Sequence, residues 1–181
     1  MRIKHPARAI TLAVAVVLVA FAVVLASQVH NDPSFKGGDI LGKQVPEFDL
    51  PALQGGAHVR SADLLGKVVL VNFWNSWCIP CRQEQGALRT FYGAHRSEPD
   101  FAMVGIVRDD TAGAAKKWVS EHNDRWTFTT DPNGQAALGF GTTGQPESFM
   151  ISPSGVVAAF LRSPVSESNL EEMLAAARRL T

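Results

Sequence analysis

Residues 68–82 read Val-Val-Leu-Val-Asn-Phe-Trp-Asn-Ser-Trp-Cys-Ile-Pro-Cys-Arg, and the rest of the chain is organised around them. The first half is apolar, β-branched and aromatic, which predicts a buried strand over Val68–Trp74. The run ends at an Asn-Ser pair, and a helical pattern of apolar residues follows the second cysteine. Cys78 and Cys81 therefore lie where a strand ends and a helix begins.

This position favours a reactive thiol at Cys78. The first turn of a helix has unpaired N–H groups and the positive end of the macrodipole. We therefore expect the pKa of Cys78 to lie below that of a free thiol. Pro80 suits the first turn because its missing N–H is not needed there. Cys81, one turn further on, is predicted to be buried and to act as the resolving thiol, so we interpret the pair as a redox dithiol that exchanges through a mixed disulfide.

Three other interpretations of the cysteine pair are weaker. A structural disulfide closing so short a loop would constrain little of the unfolded chain. A zinc site needs about four ligands, whereas the chain has 2 cysteines and 5 scattered histidines without ligand spacing. A chance pair of buried thiols remains, but the position at a helix start and the neighbouring Trp77 argue against it. No metal and no cofactor other than the dithiol itself is expected.

The N-terminus predicts export of the domain. Residues 1–8 carry basic side chains and no acid, and residues 9–26 carry no charged side chain. The second segment is near the lower length limit for a transmembrane helix. The basic flank would stay in the cytoplasm, so a single-pass anchor would place everything after Ser27 outside. A secretory signal peptide cut after Ala26 is the alternative, and it also exports the domain. A buried helix of the domain itself is a third reading, which the basic flank disfavours.

Composition is that of one globular domain with an N-terminal appendage. The chain has 181 residues, of which 46% are hydrophobic and 19% charged, and this balance allows a substantial core. The formal net charge is zero, so no strongly basic face for nucleic acid is implied. Residues 27–40 are polar and contain glycine, which predicts a linker. Residues 41–181 are predicted to form the domain.

Within the domain, residues 41–66 predict a small hairpin followed by a short helical turn. Apolar runs and periodicity then predict strands over residues 68–74, 101–107, 126–129, 147–151 and 156–162, and helices over residues 81–95, 111–123 and 135–140 and from near Ser168. For the last helix we expect a capping box of Ser168 and Glu171 and a buried stripe of Leu170, Met173, Leu174, Ala177 and Leu180. Alternating strands and helices predict an α/β fold with a mixed central sheet and helices on both faces.

Residues 72–81, Asn-Phe-Trp-Asn-Ser-Trp-Cys-Ile-Pro-Cys, resemble the active-site segment of the thioredoxin superfamily. The resemblance is stronger to the membrane-anchored branch that includes TlpA/ResA-like and DsbE (CcmG)-type reductases. It covers the chain from about residue 41 to the C-terminus and implies a thioredoxin-like fold. The predicted hairpin is similar to the N-terminal extension of this branch, which thioredoxin itself lacks.

Residues 144–149, Gly-Gln-Pro-Glu-Ser-Phe, match the cis-proline loop of the same superfamily. The resemblance implies a cis bond before Pro146, which would pack against the cysteine pair, although an ordinary trans turn proline is the alternative. It also implies that the backbone of Gln145 pairs with an extended substrate segment. Gln145 departs from the small or apolar residue often found there, which leaves the substrate preference open. The expected substrate groove comprises Trp77, Ile79, Pro80, Gln145 and Glu147.

Two acids are candidates for handling protons or tuning the thiols. Asn72 stands where thioredoxin has a buried acid, and an amide cannot act as a general base. Glu84 lies about one helical turn after Cys81 and matches a glutamate implicated in proton handling in the resembling reductases. The alternative is that Glu84 is an ordinary solvated charge on the helix surface. Glu147 matches an acid of the DsbE-type loop, where it would tune the thiol pKa or only line the groove. The predicted catalytic residues are Cys78, Cys81, Glu84 and Pro146.

The resemblance implies an extracytoplasmic thiol–disulfide oxidoreductase that reduces the haem-attachment cysteines of apocytochrome c. Its electrons would come from a membrane thiol donor. The direction depends on a reduction potential that the motif does not set, so an oxidase that gives disulfides to secreted proteins is an alternative. A further alternative is a module that carries a metal or haem through its dithiol, which no Met-rich or His-rich cluster supports.

Overall fold

A computed structural model of the protein describes residues 14–21 and 40–180. Residues 14–21 are helical, with exposed side chains. They form only part of the predicted anchor over residues 9–26. The rest of that segment, the basic flank and nearly all of the predicted linker lie outside the described residues. Among the residues that are described, no helix is both long enough and apolar enough to cross a membrane.

Residues 40–180 contain seven strands, four α-helices and a 3-10 helix. In chain order these are β1 (Asp49–Pro51), β2 (His58–Arg60), the 3-10 helix (Ser61–Leu64), β3 (Val68–Trp74), α1 (Ile79–His95), β4 (Phe101–Val107), α2 (Ala112–His122), β5 (Thr127–Thr130), α3 (Gln135–Phe140), β6 (Glu147–Ile151), β7 (Val157–Leu161) and α4 (Glu167–Arg178). Most predicted bounds agree within two residues, because apolar runs and turn residues mark these elements locally.

The central sheet has the strand order β5-β4-β3-β6-β7. Strands β3, β4 and β5 are parallel, whereas β6 and β7 are antiparallel to their neighbours. All seven residues of β3 are buried, as expected for a strand covered on both faces. One buried cluster includes Leu88 of α1, Trp118 of α2 and Leu170 of α4. A second includes Phe140 of α3 and Phe48 of the N-terminal extension. The predicted α/β class with a mixed sheet is confirmed.

The N-terminal extension forms the predicted hairpin, with β1 and β2 paired antiparallel. It also pairs with both edges of the central sheet. At one edge, Leu53 N donates to Phe128 O of β5 at 2.8 Å. At the other, Val157 N of β7 donates to Lys43 O at 2.9 Å. The extension therefore occupies backbone groups that edge strands would leave unpaired.

Two predictions about the last helix are wrong. The helix is capped by Ser166, whose Oγ accepts from Asn169 N at 3.2 Å while Asn169 Oδ1 accepts from Ser166 N at 3.1 Å. Val165 and Leu170 on either side of this cap lie in one buried cluster, the arrangement of a hydrophobic staple. The box predicted two residues later is absent. Leu180 follows the helix end and is 43% exposed, although the other four members of the predicted stripe are buried.

Candidate active site

The two cysteines form a disulfide at the start of α1, with an S–S distance of 2.07 Å. Cys78 is the N-cap residue, and its Sγ accepts from Cys81 N at 3.1 Å. This helix-start N–H and the positive end of the helix dipole stabilise negative charge on the sulfur once the disulfide is reduced. Cys81 is 1% exposed, which confirms that it is buried. Cys78 is 4% exposed in this disulfide form.

The loop before β6 approaches the disulfide as the motif implied. The Gln145–Pro146 peptide bond is cis, which confirms the expectation. Gln145 O lies 3.7 Å from Cys78 Sγ, and Pro146 is buried. The fold thus brings Gln145 and Pro146 to the dithiol from 67 positions further along the chain.

Four of the predicted groove residues reach the surface around the disulfide. Trp77 and Ile79 are 59% and 70% exposed, and Pro80 and Gln145 are half-buried. Trp77 Nε1 donates to Asp109 O at 3.0 Å, so the indole ring is held while remaining open to solvent. These side chains form an accessible, largely apolar rim that a partner polypeptide can contact.

Glu84 is buried in α1, which excludes the solvated helix charge. Its side chain is 1% exposed, Oε1 accepts from Asn72 Nδ2 at 2.9 Å, and Oε2 accepts from Val165 N at 3.0 Å. Burial raises the pKa of Glu84 to about 7, against the lowering effect of those two hydrogen bonds. The carboxyl group can therefore gain or lose a proton near neutral pH.

Asn72 positions this carboxyl group from β3. It is 1% exposed, and its Nδ2 donates to Glu84 Oε1 and also to Ser148 Oγ at 3.0 Å. The sequence named Glu84 as the candidate for proton transfer in place of Asn72, and the structure adds that the Asn72 amide holds this acid. Ser148, which lies opposite Asn72 on β6, was not predicted as a site residue.

Glu147 is buried beneath the cis-proline loop and braces it. Its Oε1 accepts from Thr143 N at 2.7 Å, Thr143 Oγ1 at 2.9 Å and Gly144 N at 3.0 Å, and its Oε2 accepts from Arg162 Nε at 3.2 Å. The side chain is 2% exposed. The expectation that Glu147 lines the open groove is therefore wrong, because its carboxylate is committed to the loop and to Arg162. An influence of Glu147 on the thiol pKa stays a prediction.

With this geometry established, comparison with known proteins identifies the family. Residues 41–160 match the AhpC/TSA family. The chain belongs to this family. A relative, the thiol:disulfide interchange protein DsbE of Pseudomonas aeruginosa, is 34% identical over 170 residues, which cover 93% of this chain and 92% of that protein.

Two solved structures similar to this AhpC/TSA member are of proteins named for thiol–disulfide chemistry. A thiol:disulfide interchange protein of the thioredoxin family from Chlorobium tepidum superimposes with a TM-score of 0.67 at 27% identity, covering 75% of this chain and 96% of that one. A secreted Mycobacterium tuberculosis disulfide oxidoreductase homologous to Escherichia coli DsbE gives a TM-score of 0.63 at 28% identity, covering 71% and 95%. The chain is thus a thiol–disulfide oxidoreductase with a thioredoxin-like fold.

Several residues that organise the site of this oxidoreductase were missed in the sequence. Arg108 and Asp110 follow β4, Thr142 precedes the cis-proline, and Arg162 follows β7. Each is a polar residue in or beside a loop, and no periodicity or motif distinguishes it from a solvated side chain. Their contacts with the loops of the site arise from the folded structure, which the local sequence does not report.

Proposed function

We propose that this oxidoreductase reduces the disulfide at the haem-attachment cysteines of apocytochrome c on the outer side of the cytoplasmic membrane. The observation that carries the proposal is the position of Cys78. Its sulfur caps a helix N-terminus, lies 3.7 Å from the Gln145 carbonyl of the cis-proline loop, and is bordered by the exposed Trp77 and Ile79. The similarity to DsbE proteins supports the same function.

The reaction needs two thiol–disulfide exchanges. In the reduced enzyme, the Cys78 thiolate attacks one sulfur of the substrate disulfide, forming a mixed disulfide and releasing the other substrate sulfur as a thiolate. The Cys81 thiolate then attacks Cys78 Sγ, which breaks the mixed disulfide and releases the second substrate thiolate. The substrate gains two electrons, and the enzyme is left with the Cys78–Cys81 disulfide.

Glu84 can supply the proton transfer that these steps require. Cys81 must lose its proton before it attacks, and it is buried where bulk water has little access. Glu84 follows Cys81 by about one helical turn, and its pKa of about 7 lets it accept and return a proton at neutral pH. In this proposal it is the general base for resolution and the proton store for the dithiol.

The N-terminal sequence supports the proposed location. A basic flank over residues 1–8 and an uncharged segment over residues 9–26 support an anchor with the domain outside, and a cleaved signal peptide would export it equally. The match to DsbE of Pseudomonas aeruginosa covers 93% of this chain and so includes much of this segment. The regenerating partner would then be a membrane protein with a thiol pair, since the Cys78–Cys81 disulfide must receive two electrons for each cycle.

Trapping tests the substrate. In cells that express Cys81→Ser, Cys78 can form a mixed disulfide with a substrate, but no Cys81 thiol is present to resolve it. Natural substrates should therefore accumulate covalently bound to Cys78. The matched control is Cys78→Ser, which should trap nothing through Cys81. Recovery of an apocytochrome c supports the proposal, and recovery of varied secreted proteins without it overturns the proposal in favour of an oxidase.

Equilibration with glutathione tests the direction. A reductase should have a reduction potential below about −200 mV, and a value well above that level would favour disulfide formation. The measurement is the fraction of oxidised Cys78–Cys81 at a series of glutathione to glutathione disulfide ratios.

A further inference from the structure

Three loops meet around the disulfide, and one of them contacts both of the others. The active-site loop is residues 75–77, the cis-proline loop is residues 141–146, and the third, here called the bridging loop, is residues 108–110 after β4. We call the first two the walls of the groove, because one carries Trp77, the neighbour of Cys78, and the other carries Gln145, whose O lies 3.7 Å from Cys78 Sγ.

The bridging loop holds the active-site loop by three hydrogen bonds. Asn75 Nδ2 donates to Arg108 O at 3.2 Å, Ser76 N donates to Asp110 Oδ2 at 2.8 Å, and Trp77 Nε1 donates to Asp109 O at 3.0 Å. Asp109 has a positive φ of 53°, a conformation uncommon for a residue other than glycine. The bridging loop is therefore shaped to present its carbonyl groups to the Trp77 wall.

The side chain of Arg108 reaches the opposite wall. Its Nη1 donates to Thr142 Oγ1 at 3.0 Å, and its Nε lies 3.2 Å from Asp109 Oδ2. The guanidinium is thereby oriented from its own loop, and its side chain is 24% exposed. Thr142 in turn donates its backbone N–H to Ala137 O at 2.9 Å. Arg108 thus links the Trp77 wall to the first part of the cis-proline loop.

The remainder of the cis-proline loop is already held. Glu147 accepts the N–H groups of Thr143 and Gly144, and Arg162 Nη2 donates to Gly141 O at 3.1 Å. The loop is thus anchored from the sheet at Gly141, Thr143 and Gly144, and the contact between Arg108 and Thr142 ties it to the other wall. That contact is placed to set the separation of the two walls of the groove.

We propose that Arg108 is a positioning residue that sets the width of the groove between Trp77 and Gln145 and so makes the enzyme prefer disulfides within an extended polypeptide to small disulfides. This deepens the proposed function, on which it rests for the class of substrate. A polypeptide that pairs with Gln145 and packs on Trp77 must contact both walls at once, so a groove already at the right width lowers the ordering cost of binding. A small disulfide needs only to reach Cys78 Sγ and gains little from the second wall.

The experiment uses Arg108→Met, Thr142→Val and the double variant, with Arg125→Met as the matched control because Arg125 is exposed on the loop before β5. Each pre-reduced protein is mixed with excess substrate in single turnover, followed by tryptophan fluorescence. One substrate is an oxidised synthetic peptide containing Cys-x-x-Cys-His, and the other is glutathione disulfide. The concentration dependence gives a maximal rate and a half-saturation concentration for each.

For Arg108→Met we expect peptide reduction to fall about tenfold more than glutathione disulfide reduction, the scale of one hydrogen bond to a charged group. The loss should lie in the half-saturation concentration, with the maximal rate changing less. Thr142→Val should give a similar selective loss, and the double variant should lose no more peptide selectivity than either single one, because the interaction between Arg108 Nη1 and Thr142 Oγ1 is the one that both variants remove. Arg125→Met should behave as the wild type.

Equal losses on both substrates, or effects of Arg108→Met and Thr142→Val that add, would overturn the inference. Arg108→Lys is the second variant should Arg108→Met not fold. It should keep part of the peptide selectivity, because Lys retains a charged donor, but not all of it, because Lys lacks the planar guanidinium group. If the wild type reduces an unrelated oxidised polypeptide such as insulin as well as it reduces the Cys-x-x-Cys-His peptide, the proposed substrate is wrong. The Arg108 comparison can then still be made with that polypeptide.

Discussion

Glu84 and Glu147 are both buried glutamates, the first about one helical turn after Cys81 and the second next to Pro146, but their hydrogen-bond partners differ in charge. Glu84 receives two hydrogen bonds from uncharged donors, Asn72 Nδ2 and Val165 N. Glu147 receives three from its own loop and an ion pair from Arg162 at 3.2 Å. Among the described residues no cation pairs with the first carboxyl group, and burial raises its pKa to about 7. The second has such a cation and serves as an anchor.

The difference shows that burial alone does not assign a role to an acid. A carboxylate taken out of water is unfavourable unless a cation or several donors compensate it. Where compensation is rich, as at Glu147, the group contributes to the rigidity of the loop. Where it is sparse, as at Glu84, the proton affinity rises and the group becomes useful for acid–base chemistry.

The largest expected effect is on stability, when the Glu147 carboxylate is removed. Glu147→Ala should lower the free energy of unfolding by about 4 kcal/mol, since it removes the buried carboxylate that pairs with Arg162 Nε and accepts three hydrogen bonds from the loop. Urea denaturation of the disulfide form measures it. The control is Glu121→Ala, which removes an exposed pair with Lys117 at 3.7 Å and should cost less than about 0.5 kcal/mol. A loss at Glu147 no larger than at Glu121 would contradict the anchoring role.

Glu84→Gln should change the pH dependence of stability instead. Folding raises the pKa of Glu84 from 4.5 to about 7, so the folded state holds this proton more tightly than the unfolded state. The stabilisation is complete below pH 4.5 and is lost as pH rises through about 7, amounting to about 3 kcal/mol by pH 8. The wild type should therefore lose stability relative to Glu84→Gln between pH 5 and pH 8. Parallel urea-unfolding curves for the two proteins across that range would refute the assignment.

Asn72→Ala should act through Glu84. Loss of the Nδ2 donor removes a bond to the ionised form, so the pKa of Glu84 should rise above 7. We expect destabilisation of about 2 kcal/mol at pH 8 and a smaller one at pH 5. Ser148→Ala provides the comparison, because it deletes the other acceptor of Asn72 and leaves the Glu84 bond in place. Its effect on unfolding should not vary with pH, and a pH-independent effect of Asn72→Ala would contradict the coupling.

The smallest effect is expected at the far end of α1. Burial lowers the pKa of His95, but hydrogen bonds to Glu171 and Glu98, at 2.9 Å each, outweigh burial and raise this pKa above its usual value. The stabilisation of the folded state by protonated His95 is therefore present below the unfolded pKa of about 6.5 and is lost as pH rises through the raised value. His95→Gln should cost less than about 1 kcal/mol at pH 5.5 and less still at pH 8.5.

His95→Gln also separates stability from thiol chemistry. His95 lies about 16 Å along the helix from Glu84, at 1.5 Å per residue. The rate at which iodoacetamide alkylates Cys78 in the reduced protein should therefore keep its wild-type pH profile in His95→Gln and change in Glu84→Gln. A shifted profile in His95→Gln would mean that the two ends of the helix are electrostatically coupled.

Much of the fold was predictable because neighbouring residues encode it. The apolar run of β3, the break before Cys78 and Pro80 in the first helical turn are local signals, and the structure confirms the elements they predicted. The cap of α4 shows the limit of such signals. Two serines two positions apart both offer a start, and the choice of Ser166 fits the burial of Val165 beside it, which no local pattern reports.

The site was predictable in part for the same reason. Consecutive residues were enough to place a dithiol at a helix start and to name Glu84 as a candidate, since both depend on spacing within one helix. They could not say that Glu84 is buried, because Val165, whose N–H donates to the second carboxylate oxygen, is 81 positions away.

The chemistry of the sulfurs was thus readable in the chain, whereas the surroundings that tune and direct it were not. The anchoring of Glu147 by Arg162 and the link from Arg108 to Thr142 join segments that are distant along the chain. Such contacts depend on how the strands order and pair, and a side chain in a loop carries no mark of its partner until that packing is formed.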